Sequence, residues 1–464
     1  MNFRIFLFSI LFLAASGKAQ NRIDSCMQEF LRADFLRSSE VGISIFDLTA
    51  DSMLYTYQGD QLYHPASTEK LLTTITAIDQ LGADYTIPTA LCYDGTLNDS
   101  ILQGNLYIRG GFDPEFGGRD MEKLMQFLFG QGIRRIEGAI YADISLKDTL
   151  PYGIGWCWDD ALYDYQPVLS PLMYHKGYLS LRVTPGRTGE PAQISVTPES
   201  DSYSIDNRTR TRHSPSGPFR VTRNLFSSDS RITVSGNITQ EKRETITIPR
   251  PQELFMSVFL QQLKEKGIRH SGFGGYVECP DEAILLGEIR RPIEEVVHRA
   301  LKVSDNLSAE ALFYRLAAHK KGKPYASSAD GTKAVNTLML EMGLDADEYS
   351  IADGSGLSSY NYISAKVLTE FLRYAARHQY IMDMIYPALP VAGVDGTLRN
   401  RMKNSLAYDN VRAKTGTVTG TSSLAGYLTA SNGHLIAFAI INQNMKEGKA
   451  ARAFQDRICQ MLCK

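Results

Sequence analysis

The sequence lacks any marked excess of charge. Lysine and arginine number 49 against 51 aspartates and glutamates, which gives a net charge of −2 at pH 7. That balance argues against a nucleic-acid-binding protein and against a polybasic membrane contact. The chain also has no low-complexity tract and no short repeat. Since 43% of its residues are hydrophobic, it can bury a sizeable core.

Long apolar runs are missing as well. Near the start, Arg4 precedes a short apolar run at 5–15, and small residues lead up to Ala19. About eleven apolar residues are too few to span a bilayer, which takes roughly twenty. The pattern predicts a signal peptide at 1–19 with cleavage after Ala19. We therefore expect an exported chain without a transmembrane segment, soluble or loosely peripheral.

Cysteines are few and follow no metal-ligand spacing. The six are Cys26, Cys92, Cys157, Cys279, Cys459 and Cys463. In an exported protein some could pair, for example Cys26 with a C-terminal cysteine, but buried free thiols fit equally well. The eight histidines fall singly, with no His-Glu-x-x-His run and no Gly-x-Ser-x-Gly elbow. No metal and no cofactor are expected.

The pattern of hydrophobic residues predicts more than one domain. A buried helix is indicated at 71–81, short alternating strands dominate 85–293, and helical patterns return after Glu294. With 464 residues, two or three domains are expected. The predicted domains are a discontinuous α/β domain (20–84 and 294–464) and a β-rich insertion (85–293), itself two subdomains (about 85–170 with 270–293, and 171–269).

Three short motifs carry the candidate chemistry, and the first is Ser67-Thr68-Glu69-Lys70. Residues three apart share a helix face, so the Ser67 hydroxyl and the Lys70 amine come within reach of each other. A helix N-terminus and apolar surroundings disfavour the ammonium ion, so a neutral Lys70 can serve as the base that activates Ser67. Alone this signal is weak, because chance supplies such a pair in a chain of this length.

The second motif is Ser304-Asp305-Asn306, which precedes a predicted helix. Its hydroxyl and amide suit a proton relay and a grip on a substrate amide. Taken alone, the motif is better explained as a helix N-cap, the commonest reason to find these residues before a helix.

The third motif is Lys414-Thr415-Gly416-Thr417, inside a strand-like run. Gly416 lets a substrate backbone approach closely, and the lysine and two hydroxyls suit a carboxylate. An ordinary edge strand with a surface lysine is the competing interpretation.

Together and in this order, the three motifs resemble those of penicillin-binding proteins and serine β-lactamases. From the mature N-terminus to its end, the chain is similar to the low-molecular-mass class C penicillin-binding proteins, the D-alanyl-D-alanine carboxypeptidase/endopeptidase family. About 234 residues separate Lys70 from Ser304, a far longer gap than in β-lactamases. The runs 155–160 (GWCWDD), 353–358 (DGSGLS) and 393–398 (GVDGTL) are similar to family blocks.

The resemblance implies a multi-domain α/β fold. It comprises a β-lactamase/transpeptidase-like domain, with an antiparallel sheet packed by helices, and a large β-rich insertion between the first and second motifs. It also implies a periplasmic D-alanyl-D-alanine carboxypeptidase and/or D,D-endopeptidase. Such an enzyme acts on peptidoglycan stem peptides, uses no cofactor and is inhibited by β-lactams.

The resemblance also implies a role for each motif residue. Ser67 is the nucleophile, Lys70 its base, and Ser304 with Lys414 passes the proton to the leaving D-alanine. The remaining residues implied to bind substrate are Asn306, Thr415, Gly416 and Thr417. In this family a carboxylate of the insertion can contact the amino end of the diaminopimelate side chain. Asp159 or Asp160 is the candidate, although a structural acid near a turn fits the sequence too.

Other functions remain open at this point. One is a penicillin-sensing or scaffolding protein with the same fold, and another is a D-amino-acid amidase or β-lactamase-like hydrolase. A β-lactamase is disfavoured because no fast-deacylation motif is visible. The sequence does not decide between carboxypeptidase and endopeptidase activity, nor does it settle disulfide pairing or oligomeric state, with a homodimer among the options.

Overall fold

The computed structural model describes residues 22–227, 229–322 and 324–464 of the chain. The predicted signal peptide, 1–19, lies outside the described residues. Within the described ranges the α-helices are α1 (22–30), α2 (Lys70–Leu81), α3 (Gly118–Gly130), α4 (Pro251–Glu265), α5 (Ile293–Lys302), α6 (Asn306–Lys321), α7 (Ser328–Glu341), α8 (Ala365–Arg377), α9 (Gln379–Ala388) and α10 (Gly448–Leu462).

The strands range in length from 2 to 9 residues. They are β1 (Glu40–Asp47), β2 (Ser52–Tyr57), β3 (Thr86–Tyr93), β4 (Thr96–Asn98), β5 (Ile101–Gln103), β6 (Leu106–Arg109), β7 (Arg135–Ile136), β8 (Ile140–Asp143), β9 (Tyr178–Thr184), β10 (Gln193–Thr197), β11 (Ser204–Thr211), β12 (Arg220–Arg223), β13 (Arg231–Ile238), β14 (Lys242–Thr247), β15 (Arg269–His270), β16 (Phe273–Tyr276), β17 (Ile284–Pro292), β18 (Arg412–Val418), β19 (Thr421–Thr429) and β20 (Leu435–Gln443).

The chain divides into two compact units. The first contains the described residues up to Ala83 together with Val297–Asp305 and Val335–Lys464, and the second contains Asp84–Val296 and Asn306–Ala334. This division differs from the predicted boundaries chiefly in one segment. Residues Asn306–Ala334, which form α6 and part of α7, group with the second unit.

The first unit is built on an antiparallel sheet in the order β18-β19-β20-β1-β2. Helices cover both faces of this sheet, so nearly all of β19 is buried. On one face α1 and α10 contribute Phe30 and Ile458 to the core. On the other, the Tyr427 hydroxyl of β19 donates to the main-chain oxygen of Leu372 in α8 at 2.8 Å. The predicted antiparallel sheet packed by helices is therefore confirmed.

The second unit is rich in β-structure, as predicted. Its sheets have the orders β16-β8-β6-β3-β17, β15-β7-β5-β4, β10-β9-β14 and β11-β13-β12. One hydrophobic cluster joins residues of different sheets, such as Leu91 and Val183, to Leu124 of α3 and Phe255 of α4. The division of this region into two subdomains stays a prediction.

A charged network ties β17 to α3 within the second unit. The guanidinium of Arg291 lies 3.2 Å from Asp113 and 2.8 Å from Asp120. Asp113 is 3% exposed, and burial raises its pKa more than the charge of Arg291 lowers it. Because Asp113 is buried, the removal of Arg291 would leave an uncompensated acid in the core.

The cysteines, helices and possible metal ligands of the described residues bear on three further expectations. All six cysteines are free thiols in this structure, so the bridge from Cys26 to a C-terminal cysteine is absent from it. No helix in the described ranges combines the length and apolar character needed to cross a bilayer. No group of three or more histidine, cysteine or acidic side chains there could hold a metal ion.

Candidate active site

The first motif places a buried amine beside a more accessible hydroxyl. A 3-10 turn, Ala66–Glu69, runs directly into α2, so Ser67 and Lys70 lie about one turn apart. The Lys70 Nζ is 3.0 Å from the Ser67 Oγ and donates to the main-chain oxygen of Ser355 at 2.6 Å. Lys70 is fully buried, whereas Ser67 is only half-buried. The predicted proximity of the Ser67 hydroxyl and the Lys70 amine is confirmed.

The backbone before Ser67 is strained. Ala66 has φ +49°, a left-handed conformation that costs a residue with a side chain about 1–2 kcal/mol. Its N–H donates to the His64 Nδ1 at 3.2 Å, which helps to hold the turn. Gly356 fits against the same turn, because a Cβ there would lie 1.9 Å from the Ala66 oxygen. Packing of this kind holds the strained turn and, with it, the Ser67 hydroxyl.

The second and third motifs meet through one hydrogen bond. The Lys414 Nζ donates to the Ser304 Oγ at 2.8 Å and to the Thr415 main-chain oxygen at 2.6 Å. Lys414 is fully buried, and burial, with the repulsion that would arise if Lys70 were charged at the same time, holds its pKa well below the usual value. Both effects favour the neutral amine, which can accept a proton and pass it on, as a relay requires.

Ser304 does not cap a helix. The helix α6 begins two residues later, and Ser304 has φ +62°, whereas an N-cap residue has extended backbone. The strained backbone directs its side chain to Lys414 instead. The helix-cap interpretation of the motif is therefore wrong for Ser304.

Asn306 belongs to the second unit, where it is bound to the insertion. Its Nδ2 donates to the main-chain oxygen of Tyr165 at 2.6 Å, and it is 8% exposed. The Tyr165 hydroxyl donates to Asp160 at 2.6 Å. Asp160 is thus linked through one residue to Asn306, whereas Asp159 is exposed. The hydrogen bond to Tyr165 distinguishes Asp160 from Asp159, which the sequence alone does not do.

The strand β18 presents an open edge beside the nucleophile. The Ala413 N–H donates to the Pro390 oxygen at 3.0 Å, so the outer edge is paired there. Because alternate N–H groups of a strand share one side, those of Thr415 and Thr417 also face outward. A Cβ at Gly416 would lie 3.0 Å from the Ser67 amide nitrogen. Only glycine lets the strand pass so close to that amide.

Three supporting residues were not singled out in the sequence. Ser355 supplies the oxygen that holds Lys70. Asp353 accepts hydrogen bonds from the N–H groups of Gly356 and Ser358 at 2.8 and 2.7 Å, which folds the loop around Ser355. Thr397 lies 2.7 Å from Thr415, oxygen to oxygen. All three lie in the runs 353–358 and 393–398. The similarity of these runs to family blocks is the sequence signal that could have identified the three residues.

The fold and the two lysine–serine pairs define a serine-type peptidase of the penicillin-binding class. A sequence model of the D-Ala-D-Ala carboxypeptidase 3 (S13) family matches residues 22–464. The chain belongs to that family, and it is a low-molecular-mass class C penicillin-binding protein, as the motifs indicated.

Relatives match the chain over most of its length. It is 28% identical to a D-alanyl-D-alanine carboxypeptidase of Actinomadura sp. over 97% of this chain and 86% of the relative. It is 27% identical to the carboxypeptidase DacB of Haemophilus influenzae over 86% of this chain and 84% of the relative. The crystal structure of penicillin-binding protein 4 from H. influenzae superposes with a TM-score of 0.84, at 24% identity, over 93% of this chain and 99% of that one. The expected β-lactamase/transpeptidase-like fold is confirmed.

Proposed function

We propose that this enzyme hydrolyses the peptide bond between two D-alanines in peptidoglycan stem peptides, through an acyl-enzyme on Ser67. The observation that carries the proposal is the pair of buried lysines, each within hydrogen-bond distance of a serine hydroxyl at 3.0 and 2.8 Å. One pair supplies a nucleophile with its base. The other supplies a proton relay for the leaving group.

Acylation begins with proton transfer from Ser67 to Lys70. The Ser67 Oγ then attacks the D-alanyl carbonyl, whose oxygen becomes negatively charged. The backbone N–H groups of Ser67 and Thr417 stabilise that oxygen, each loss of such a donor costing about 10²–10³ in rate. The approach of Gly416 to the Ser67 amide supports this assignment, because it brings the two donors to the same place.

The leaving D-alanine receives its proton from Ser304. Lys414 passes to Ser304 the proton that Lys70 took from Ser67, so both amines end the step neutral. The lowered pKa of Lys414 suits this role, since burial favours the neutral amine, which can accept a proton and pass it on. Thr415 and Thr417 hold the terminal carboxylate, and Asn306 holds the peptide amide. Water then hydrolyses the acyl-enzyme and regenerates Ser67.

β-Lactams acylate the same Ser67, because the strained ring imitates the D-alanyl end of the substrate. A structure of the H. influenzae relative has been determined in complex with a β-lactam, which supports the proposal. The adduct is expected to persist, since no fast-deacylation motif is visible in the sequence. Rapid turnover of penicillin would instead indicate a β-lactamase-like hydrolase.

Asp160 is proposed to bind the far amino group of the diaminopimelate side chain. Of the two candidate acids it is favoured by its hydrogen bond to Tyr165, whose main-chain oxygen accepts from Asn306. Asp160→Asn should raise KM for a diaminopimelate-containing peptide and leave the rate of acylation by penicillin unchanged. Asp159→Asn is the matched control. Equal effects of the two changes on KM would contradict the assignment.

An analysis of reaction products tests whether the enzyme acts as a carboxypeptidase, as an endopeptidase or as both. The wild-type enzyme is incubated with a pentapeptide and with a cross-linked dimer, and the products are identified by mass. We expect loss of the terminal D-alanine from the first and cleavage of the cross-link in the second. Endopeptidases of Bdellovibrio bacteriovorus share the fold, with a TM-score of 0.51 at 16% identity. If neither substrate is cleaved while penicillin still binds covalently, the chain is a penicillin sensor or scaffold.

Periplasmic location completes the proposal, and the oligomeric state stays open between monomer and homodimer. The apolar run at 5–15 and the small residues up to Ala19 support export. N-terminal sequencing of the exported protein should give a sequence that starts at Gln20, directly after Ala19. Light scattering of the mature protein decides between monomer and homodimer.

A further inference from the structure

Two buried thiols lie close together in the second unit. Cys92 is on β3, opposite Tyr107 of β6, and Cys279 is in the connection between β16 and β17. They are 3% and 6% exposed, and both belong to a small apolar cluster that includes Ala90 and Tyr107. The proposed reaction uses neither of them.

Backbone contacts fix the position of each cysteine. Cys92 is paired on both sides, with Tyr107 of β6 and Leu285 of β17. The N–H of Cys279 donates to the carboxylate of Asp143, the last residue of β8, at 3.0 Å. Each cysteine therefore lies on a backbone segment with little freedom to move.

The two thiols lie close enough for each to change the pKa of the other. The interaction with Cys279 lowers the pKa of Cys92 to about 7, while the interaction with Cys92 and burial raise the pKa of Cys279. Arg109 lies close enough to favour the Cys92 thiolate further. A thiolate next to a thiol is the arrangement from which thiol–disulfide exchange proceeds.

The other four cysteines differ from this pair. Cys157 is exposed, and Cys26 in α1 is partly exposed. Cys459 lies in α10, and Cys463 follows directly after that helix, one turn later.

We propose that Cys92 and Cys279 form a disulfide that cross-links β3 to the connection preceding β17. The oxidant is a disulfide of a small thiol or of a thiol oxidoreductase. The Cys92 thiolate attacks one sulfur of that disulfide and displaces its partner as a thiol. The Cys279 sulfur, losing its proton, then attacks the Cys92 sulfur and releases the second thiol. Two thiols are oxidised and one disulfide of the oxidant is reduced to two thiols.

The bond closes a long loop, from residue 92 to residue 279, and so restricts the unfolded chain. Burial of both sulfurs shields the finished bond from reductants and makes oxidation fastest while the chain folds. The proposed export places the chain where such oxidants act. The pairing itself does not depend on the peptidase activity.

The test uses the mature chain, unfolded with reductant and refolded in a buffer of reduced and oxidised glutathione. Remaining thiols are alkylated, and the protein is digested without reduction for mass mapping. We expect a cross-linked peptide pair that contains Cys92 and Cys279. Oxidised protein should also melt several degrees above the reduced protein. That difference should vanish in Cys92→Ser and Cys279→Ser but persist in Cys157→Ser, the matched control.

Three results would overturn the proposal: alkylation of both cysteines after oxidative refolding, a cross-link to a different cysteine, or a melting difference that persists in Cys92→Ser. Covalent binding of penicillin reports on folding in every sample. Loss of penicillin binding with the cross-link intact would count against the proposed function and leave the disulfide in place.

Discussion

Gly416→Ala tests how closely β18 passes the nucleophile. The added methyl group would lie 2.1 Å from the Ser423 Oγ, 2.8 Å from the Pro65 oxygen and 3.0 Å from the Ser67 amide nitrogen. Ordinary contacts between such atoms begin at roughly 3.5 Å. Ser423 can rotate its hydroxyl, but the two backbone atoms cannot yield, so the strand must move outward by several tenths of an ångström or more.

A displacement approaching 1 Å between reacting groups costs about 10²-fold in rate. We therefore expect acylation of Gly416→Ala by a labelled penicillin to be slower by about two orders of magnitude, equivalent to about 2.7 kcal/mol. Overpacking should also lower the free energy of unfolding by about 1–3 kcal/mol. Rapid-quench measurement of the second-order acylation rate constant gives the first quantity, and urea unfolding gives the second.

Gly420→Ala is the matched control. Gly420 lies in the turn that follows β18, has φ +81°, and has no atom within 4 Å of an added Cβ. Alanine there should cost about 1–2 kcal/mol of stability through backbone strain and leave acylation unchanged. Acylation of Gly416→Ala at the wild-type rate would refute the close approach of the strand. Equal slowing of both variants would show that lost stability, not position, controls the rate.

Three further changes have expected outcomes. Lys414 binds fewer protons in the folded protein than in the unfolded chain, because its folded pKa is lowered, so wild-type stability rises as the pH approaches the ordinary lysine pKa of about 10.4. The unfolding free energy of Lys414→Met minus that of the wild type should therefore fall between pH 7 and pH 9, by at most about 1.4 kcal/mol per pH unit. A constant difference would contradict this prediction. Arg291→Met should lower the free energy of unfolding, measured with urea, by about 3–5 kcal/mol. Adding Asp113→Asn to that variant should restore part of the lost stability, and no recovery would refute the pairing of the two residues. Asp353→Asn replaces a carboxylate oxygen that accepts main-chain N–H bonds with an amide group, so it should lower the free energy of unfolding by about 1–3 kcal/mol. It should also slow acylation, because the Ser355 oxygen would no longer be held against Lys70. Acylation at the wild-type rate would exclude this positioning role of Asp353.

The fold was predictable where hydrophobic periodicity is strong. The helix indicated at 71–81 is α2, Lys70–Leu81. The helix α9, Gln379–Ala388, was not predicted, since Pro387 lies in its last turn and weakens the helical pattern. Grouping of residues 306–334 with the second unit depends on tertiary contacts that no local pattern records.

The candidate site was predictable only in part, for a physical reason. Residue types and spacing place Ser67 beside Lys70, because helix geometry fixes neighbours three residues apart. The bond between Lys414 and Ser304 joins residues 110 positions apart, and no periodicity encodes it. The left-handed backbone at Ala66 and Ser304 is likewise set by surrounding packing. The family resemblance supplied what local physics does not.

The central claim is that Ser67 carries the acyl group. The most direct test is the intact mass of the mature protein after incubation with penicillin, followed by peptide mapping of the adduct, for wild type and Ser67→Ala. We expect one penicilloyl group on wild type, mapped to Ser67, and none on the variant when both are folded by circular dichroism. An adduct on Ser67→Ala, or folded wild-type protein that forms none, would contradict the account.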